Sequence, residues 1–205
     1  MRTVKQLVDI VTFLTSEPRG RVTQMARRLM DDGLLPKSIG RDIKNVDFSA
    51  AFLPVFAIAF AKRAADASSV ASKIAALPLL TATLGPNELD LLKDTIAKQI
   101  GIHIEMPLAD VLGRFIASDT VLECQLEITR GGDGRYGAAF AFAGESDSHY
   151  SWLNFGHDHA HVGFTWQSFN LGAPGFASMR TLFRAKDPPD IPSFTDTAND
   201  GGDDG

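Results

Sequence analysis

Near Asp119 the spacing of apolar residues changes from a helical period to strict alternation, and no other feature constrains the fold of this chain as strongly. In "VLECQLEIT", Leu122, Cys124, Leu126 and Ile128 fall on one side and Glu123, Gln125 and Glu127 on the other. "GGDG" then turns the chain into "RYGAAFAFA", where Tyr136, Phe140 and Phe142 share a side. This pattern predicts a β-hairpin with one buried face. A second pair is expected from "HYSWLNF" and "HVGFTWQSF", which flank "GHDHA" and alternate at Val162, Phe164 and Trp166. Phe176, Met179, Leu182 and Phe183 then give Pro174 to Lys186 the period of a closing helix. The expected fold class is α+β, with four antiparallel strands and a helix forming a small unit over 119–186.

Everything before the switch reads as helical. Val4, Leu7, Val8, Val11 and Leu14 mark a first helix, opened by Thr3 and Gln6 as a capping box. "SEPRG" interrupts it, and Val22, Met25, Ala26 and Leu29 form the apolar stripe of a second helix. That helix is expected to stop at Gly33 in a left-handed conformation, with Pro36 preventing its continuation. Ala50 to Ala61, the most apolar stretch, is too short for the roughly 20 residues that cross a bilayer and contains Pro54. It is expected to be a buried core or oligomer-interface helix. "RAADASSVASKIAALPLLTATLG", "PNELDLLKDTIAKQIG" with Leu89, Leu92, Ile96 and Ile100, and "PLADVLGRFIAS" with Leu108, Val111, Leu112, Phe115 and Ile116 extend the helical reading to the switch. The expected organisation is a helix-turn-helix-like head over 1–65, a helical linker or oligomerisation region over 66–118, the α+β unit, and a disordered acidic tail over 187–205. With 205 residues and 44% hydrophobic content, the chain is large enough to bury a sizeable core.

Charge divides the chain unequally. Residues 1–63 hold 11 Lys and Arg against 6 Asp and Glu, a net of +5, whereas 64–205 hold 9 against 19, a net of −10, giving the −5 of the whole. Fields at physiological salt act over about 8–10 Å, so an acidic body does not prevent a basic head from holding phosphates. Arg21, Gln24 and Arg28 recur at i, i+3 and i+7 of the second helix with Arg27 beside them, Arg19 precedes them, and Lys37, Ser38, Arg41 and Lys44 follow in a wing-like loop around Gly40. Guanidinium and amide groups on one helix side can meet phosphates or base edges, so these nine residues are the expected contacts to double-stranded DNA.

"VTQMARRLMDDGLLPKSIGRDIKNVDFSAAFLPVFAIA" resembles the N-terminal segment of phage- and prophage-encoded helix-turn-helix proteins, and it loosely resembles the MerR-like winged-helix group. The resemblance covers residues 1–65. It implies DNA binding in a phage-like setting, as a transcriptional regulator or as the small subunit of a packaging terminase. A homo-oligomer is expected in either case, with RNA polymerase or the packaging machinery as further partners. A protein that binds no nucleic acid is the remaining alternative.

No motif points to catalysis: there is no P-loop, nucleophile elbow, dinucleotide fingerprint or H-E-x-x-H. His157, His159 and His161, with His149 nearby, alternate as metal ligands on a strand would, but they fall where a hairpin is expected to turn and lack completing ligands. Neither metal nor cofactor is expected. Cys124, on an apolar strand face, reads as an inert core thiol. One cysteine and an N-terminus without an unbroken apolar run point to the cytoplasm. The segment after Lys186 has six acidic residues and no basic one, the composition of a solvated tail or of a competitor for the basic head.

Overall fold

The computed structural model describes residues 3–38, 44–84, 87–88, 95–118, 121–144, 150–156 and 165–184. Helix α1 runs Val4–Thr15 and α2 Arg19–Asp31; a 3-10 turn at Ser49–Phe52 leads into α3, Leu53–Phe60, and a second at Ala64–Asp66 into α4, Ala67–Ala75. Strands β1, Leu79–Leu84, and β2, Asn87–Glu88, follow, then α5, Thr95–Ile100, and α6, Leu108–Ala117. Four more strands, β3 (Val121–Gly131), β4 (Tyr136–Gly144), β5 (Ser151–Gly156) and β6 (Thr165–Leu171), precede α7, Ala173–Arg184. The fold is α+β, with an antiparallel sheet of order β2-β1-β5-β4-β3-β6.

Local chemistry accounts for the helix ends. Thr3 accepts from the Gln6 amide while the Gln6 side chain accepts from the Thr3 amide, so two of the four orphan donors of α1 are satisfied. At the other end of the head, the Leu34 amide donates to Leu29 and the Gly33 amide to Met30, with Gly33 at φ 76. This is the Schellman closure of α2; glycine occupies the left-handed position without a Cβ penalty.

The hairpin reading holds for β3 and β4. Cys124 lies opposite Phe142, Leu126 opposite Phe140, and Ile128 opposite Ala138, all buried, while Gln125 and Glu127 on the other face lie opposite Ala141 and Ala139. The second expected hairpin does not form. β5 pairs with β1 and β4, whereas β6 pairs with β3, so two strands separate them. Strands β3 to β6 are thereby a Greek key: three consecutive strands and a fourth that returns beside the first. The edge of β3 opposite β4 was open to pairing, and β6 occupies it through Ile128 opposite Phe169 and Leu126 opposite Leu171.

The middle segment also differs from its helical reading. Its first helix stops at Ala75, and Leu79–Leu84 is a strand that joins the sheet beside β5. Pro78 supplies the physical reason, since it removes a backbone donor and disfavours helix at the residue before it; Thr81 and Thr83 beyond it suit a strand. Helix α6 forms as expected, with Leu108, Val111, Leu112, Phe115 and Ile116 buried. Leu89 and Leu92 lie outside the described residues.

Helices cover one face of the sheet, and one continuous hydrophobic cluster runs from Leu7 to Phe183 through all three expected segments. Phe115 packs edge-on against Phe140 at 4.6 Å, Phe176 lies 5.4 Å from both Phe140 and Phe52, and Phe52 stacks on Phe56 at 6.2 Å. The apolar helix at 53–60 is therefore buried within this chain. Among the described residues no helix is long and apolar enough to cross a membrane.

Gly113 permits a close approach of α6 to the 3-10 turn at Ser49–Phe52. A Cβ there would stand 2.9 Å from the Ser49 backbone nitrogen and 3.1 Å from the Phe48 carbonyl carbon. Alanine is the better helix former by about 1 kcal/mol, yet Gly113→Ala should destabilise the protein, because its Cβ would press on the rigid backbone of Phe48 and Ser49, and overpacking of this kind costs about 1–3 kcal/mol. Thermal unfolding followed by circular dichroism should show a lower Tm; an unchanged or higher Tm would contradict this packing.

Candidate nucleic-acid interface

Helices α1 and α2 are joined by Ser16, Glu17 and Pro18, with Ser16 left-handed at φ 55. Val22, Met25, Ala26 and Leu29 hold α2 to the core, and the Ser68 hydroxyl on α4 donates to the Arg28 carbonyl at 3.5 Å. With 3.6 residues per turn, that anchoring leaves Gln24 and Arg28 on the opposite side, and both are exposed. Arg21 is half-buried beside them, with one guanidinium nitrogen 3.4 Å from the Ala61 carbonyl.

Most of the nominated cations carry acidic partners. Arg21 is bound to Glu17 at 3.0 Å and Arg28 to Asp32 at 3.0 Å, both along the helix; Arg19 reaches Asp9 on α1 at 2.6 Å, and Lys37 reaches Asp31 at 2.6 Å. Arg27 is exposed and makes no ion pair among the described residues. Ser38 accepts the Lys44 backbone amide at 3.1 Å; Arg41, the remaining nominated cation, lies outside the described residues. Exposed pairs of this kind contribute about 0–1 kcal/mol, so an incoming phosphate can displace the carboxylate at small cost.

The nominated residues therefore fall into two overlapping sets. Gln24, Arg27 and Arg28 are exposed on the side of α2 away from the core, with Arg21 half-buried beside them. Arg27 also lines, with Arg19 and Lys37, a groove of about 540 Å³ between α1 and α2, where Lys5 of α1 joins them. Its apolar lining is supplied by Val4, Val8, Ala26 and Met30. Lys5 was not among the residues nominated from sequence: its spacing from Arg27 and Lys37 depends on how two helices pack, and no periodicity within α1 carries that information.

Elsewhere, Cys124 is buried, and burial pushes its thiol up to about 12, partly offset by the Arg180 charge. His103 is exposed, with Nδ1 2.9 Å from the Ile104 carbonyl oxygen. His149, His157, His159 and His161 lie outside the described residues, and among the described residues no three His, Cys, Asp or Glu side chains gather as a metal site would require. On the sheet face away from the helices, Tyr150 donates to Glu123, and this contact with a carboxylate holds the phenol above its ordinary value. In comparisons with protein-family models, curated proteins and solved structures, nothing matches this chain.

Two outcomes test these environments. The hydrogen bond and charge of Lys37 hold the Asp31 carboxyl below its ordinary value, so the contribution of the pair is full above the ordinary carboxylate range and is lost as pH falls through the lowered value. An NMR titration should find Asp31 below its ordinary value and moved upward in Lys37→Ala; an unmoved titration would contradict the contact. Cys124 should not react with a thiol reagent at neutral pH until the protein is unfolded. Prompt labelling of the native protein would contradict its burial.

Proposed function

We propose that the α1–α2 head binds double-stranded DNA and that the protein acts as a regulator of the phage-like helix-turn-helix type its first 65 residues resemble. The observation that carries this reading is the mounting of α2: one side is locked into the core by Val22, Met25, Ala26 and Leu29, and the other exposes Gln24, Arg27 and Arg28 to solvent. A rigidly held helix with amide and guanidinium groups on its free side meets the geometric demand of a groove-reading element. Gln24 and Arg28, one turn apart, would address base edges, while Arg27, Lys37 and Lys44 would address phosphates. The net charge of +5 over 1–63 supplies the attractive field.

Lying on the surface, Arg27 and Arg28 are separable from folding. Replacing both with Ala should weaken duplex binding by at least about tenfold, since each charge-assisted phosphate contact contributes about 1.5–3 kcal/mol, while the circular dichroism spectrum stays unchanged. Fluorescence anisotropy of labelled duplex at about 50 and about 200 mM salt should show a steep loss of affinity from counterion release. Undiminished binding by the double variant would refute the assigned surface, and a flat salt response would refute phosphate contact.

A further inference from the structure

We propose that the groove between α1 and α2 is a binding site for a small amphipathic anion, an apolar chain or ring system bearing a phosphate or carboxylate group. This goes beyond DNA binding, because the groove differs in chemistry from the outer side of α2. Its volume of about 540 Å³ falls within the range of ligand pockets, about 300–1,000 Å³. A duplex can use the rim cations Arg27 and Lys37 that the groove shares with the DNA reading, but its phosphates leave the apolar lining of Val4, Val8, Ala26 and Met30 uncovered.

The charges of the groove are one-sided. Lys5, Arg19, Arg27 and Lys37 line it, and among the described residues none that lines it is acidic. Asp9 and Asp31 pair with Arg19 and Lys37, while Lys5 and Arg27 make no ion pair among the described residues, Arg27 feeling Asp31 only through its longer-range charge. Four cations, two of them paired, thus line one concavity. An anion placed there gains charge-assisted hydrogen bonds from Lys5 and Arg27 without displacing a carboxylate from either.

The floor selects the rest of the ligand. Val4 and Met30 are half-buried, so each still exposes apolar surface toward the groove that a hydrocarbon body would remove from water. A bare phosphate satisfies the rim and leaves the floor wet. An uncharged alcohol covers the floor and leaves the rim unpaired. Only a molecule with both parts complements the whole groove, and Met30 on its flexible thioether stem can adapt to the shape of the apolar part.

Decyl phosphate, titrated below its micellar concentration by calorimetry at two temperatures, is the probe. The expected result is saturable one-to-one binding with a negative heat-capacity change, the mark of apolar burial. Inorganic phosphate and decanol should each bind at least about tenfold more weakly. Lys5→Gln should reduce affinity for decyl phosphate through the rim, and Met30→Gln should reduce it through the floor, with circular dichroism of both variants confirming the native fold. Neither residue lies on the outer side of α2, and no DNA is present, so failure here is distinguishable from failure of the DNA reading. The proposal is overturned if decyl phosphate binds no better than inorganic phosphate, or if both variants bind it as the parent protein does.

Discussion

The contact of Phe140 with Phe115 and Phe176 is the interaction on which the other parts of the structure depend. Phe140 belongs to the sheet, Phe115 to α6 and Phe176 to α7, and Phe176 passes the contact on to Phe52 at the entrance to α3. Large rings bury the most apolar area per side chain, and truncating one in a core costs about 3–5 kcal/mol. Because the rings come from four separate stretches of chain, the helical layer and the sheet share one interior. Helix α2 is then fixed to that interior through α3 and α4, and its basic side keeps a defined orientation.

Electrostatics in the head works over short distances. The net charge of the chain is −5, yet the acids nearest α2 each form an ion pair: Asp9 with Arg19, Glu17 with Arg21, Asp31 with Lys37 and Asp32 with Arg28. Such pairs are exposed and contribute little to stability, but they hold long side chains in a narrow range of positions. The surface of the head is therefore neither a bare basic patch nor a neutral one. It is a set of positioned cations, with Arg27 and Lys5 left to meet an anion, the first between the two surfaces proposed for binding and the second within the groove.

Elements whose apolar period is long and uninterrupted were legible in the sequence: α1 with its capping box, α2 with its Gly33 stop, α6, the β3–β4 hairpin and α7. Others were not, and the strand β2 at Asn87–Glu88, strand β1 and the separation of β5 from β6 are among them. Strand β1 follows an Ala/Ser-rich helix and is itself only six residues long, so the helical period runs into it; Pro78, Thr81 and Thr83 were the signals available. The separation of β5 from β6 depends on which strand edge is open, a property of the assembled sheet, whereas nearness in sequence favours a hairpin. The candidate site was legible in part. Its residue types and their places on α2 follow from spacing, but the pairing of Arg19 with Asp9 and the arrival of Lys5 opposite Arg27 require the packing angle of two helices.

The central claim is that α2 is a rigidly mounted helix whose free side meets DNA. The most direct measurement is a two-dimensional amide and arginine Nε NMR spectrum of the 22.1 kDa protein, recorded as duplex DNA is added at low salt. Among the described residues, the account predicts shifts confined to 19–38 and 44–45, with the Arg27 and Arg28 side-chain signals moving most and the sheet unaffected. Shifts concentrated on the sheet face that carries Gln125, Glu127 and Trp152, or no shifts at all, would contradict it.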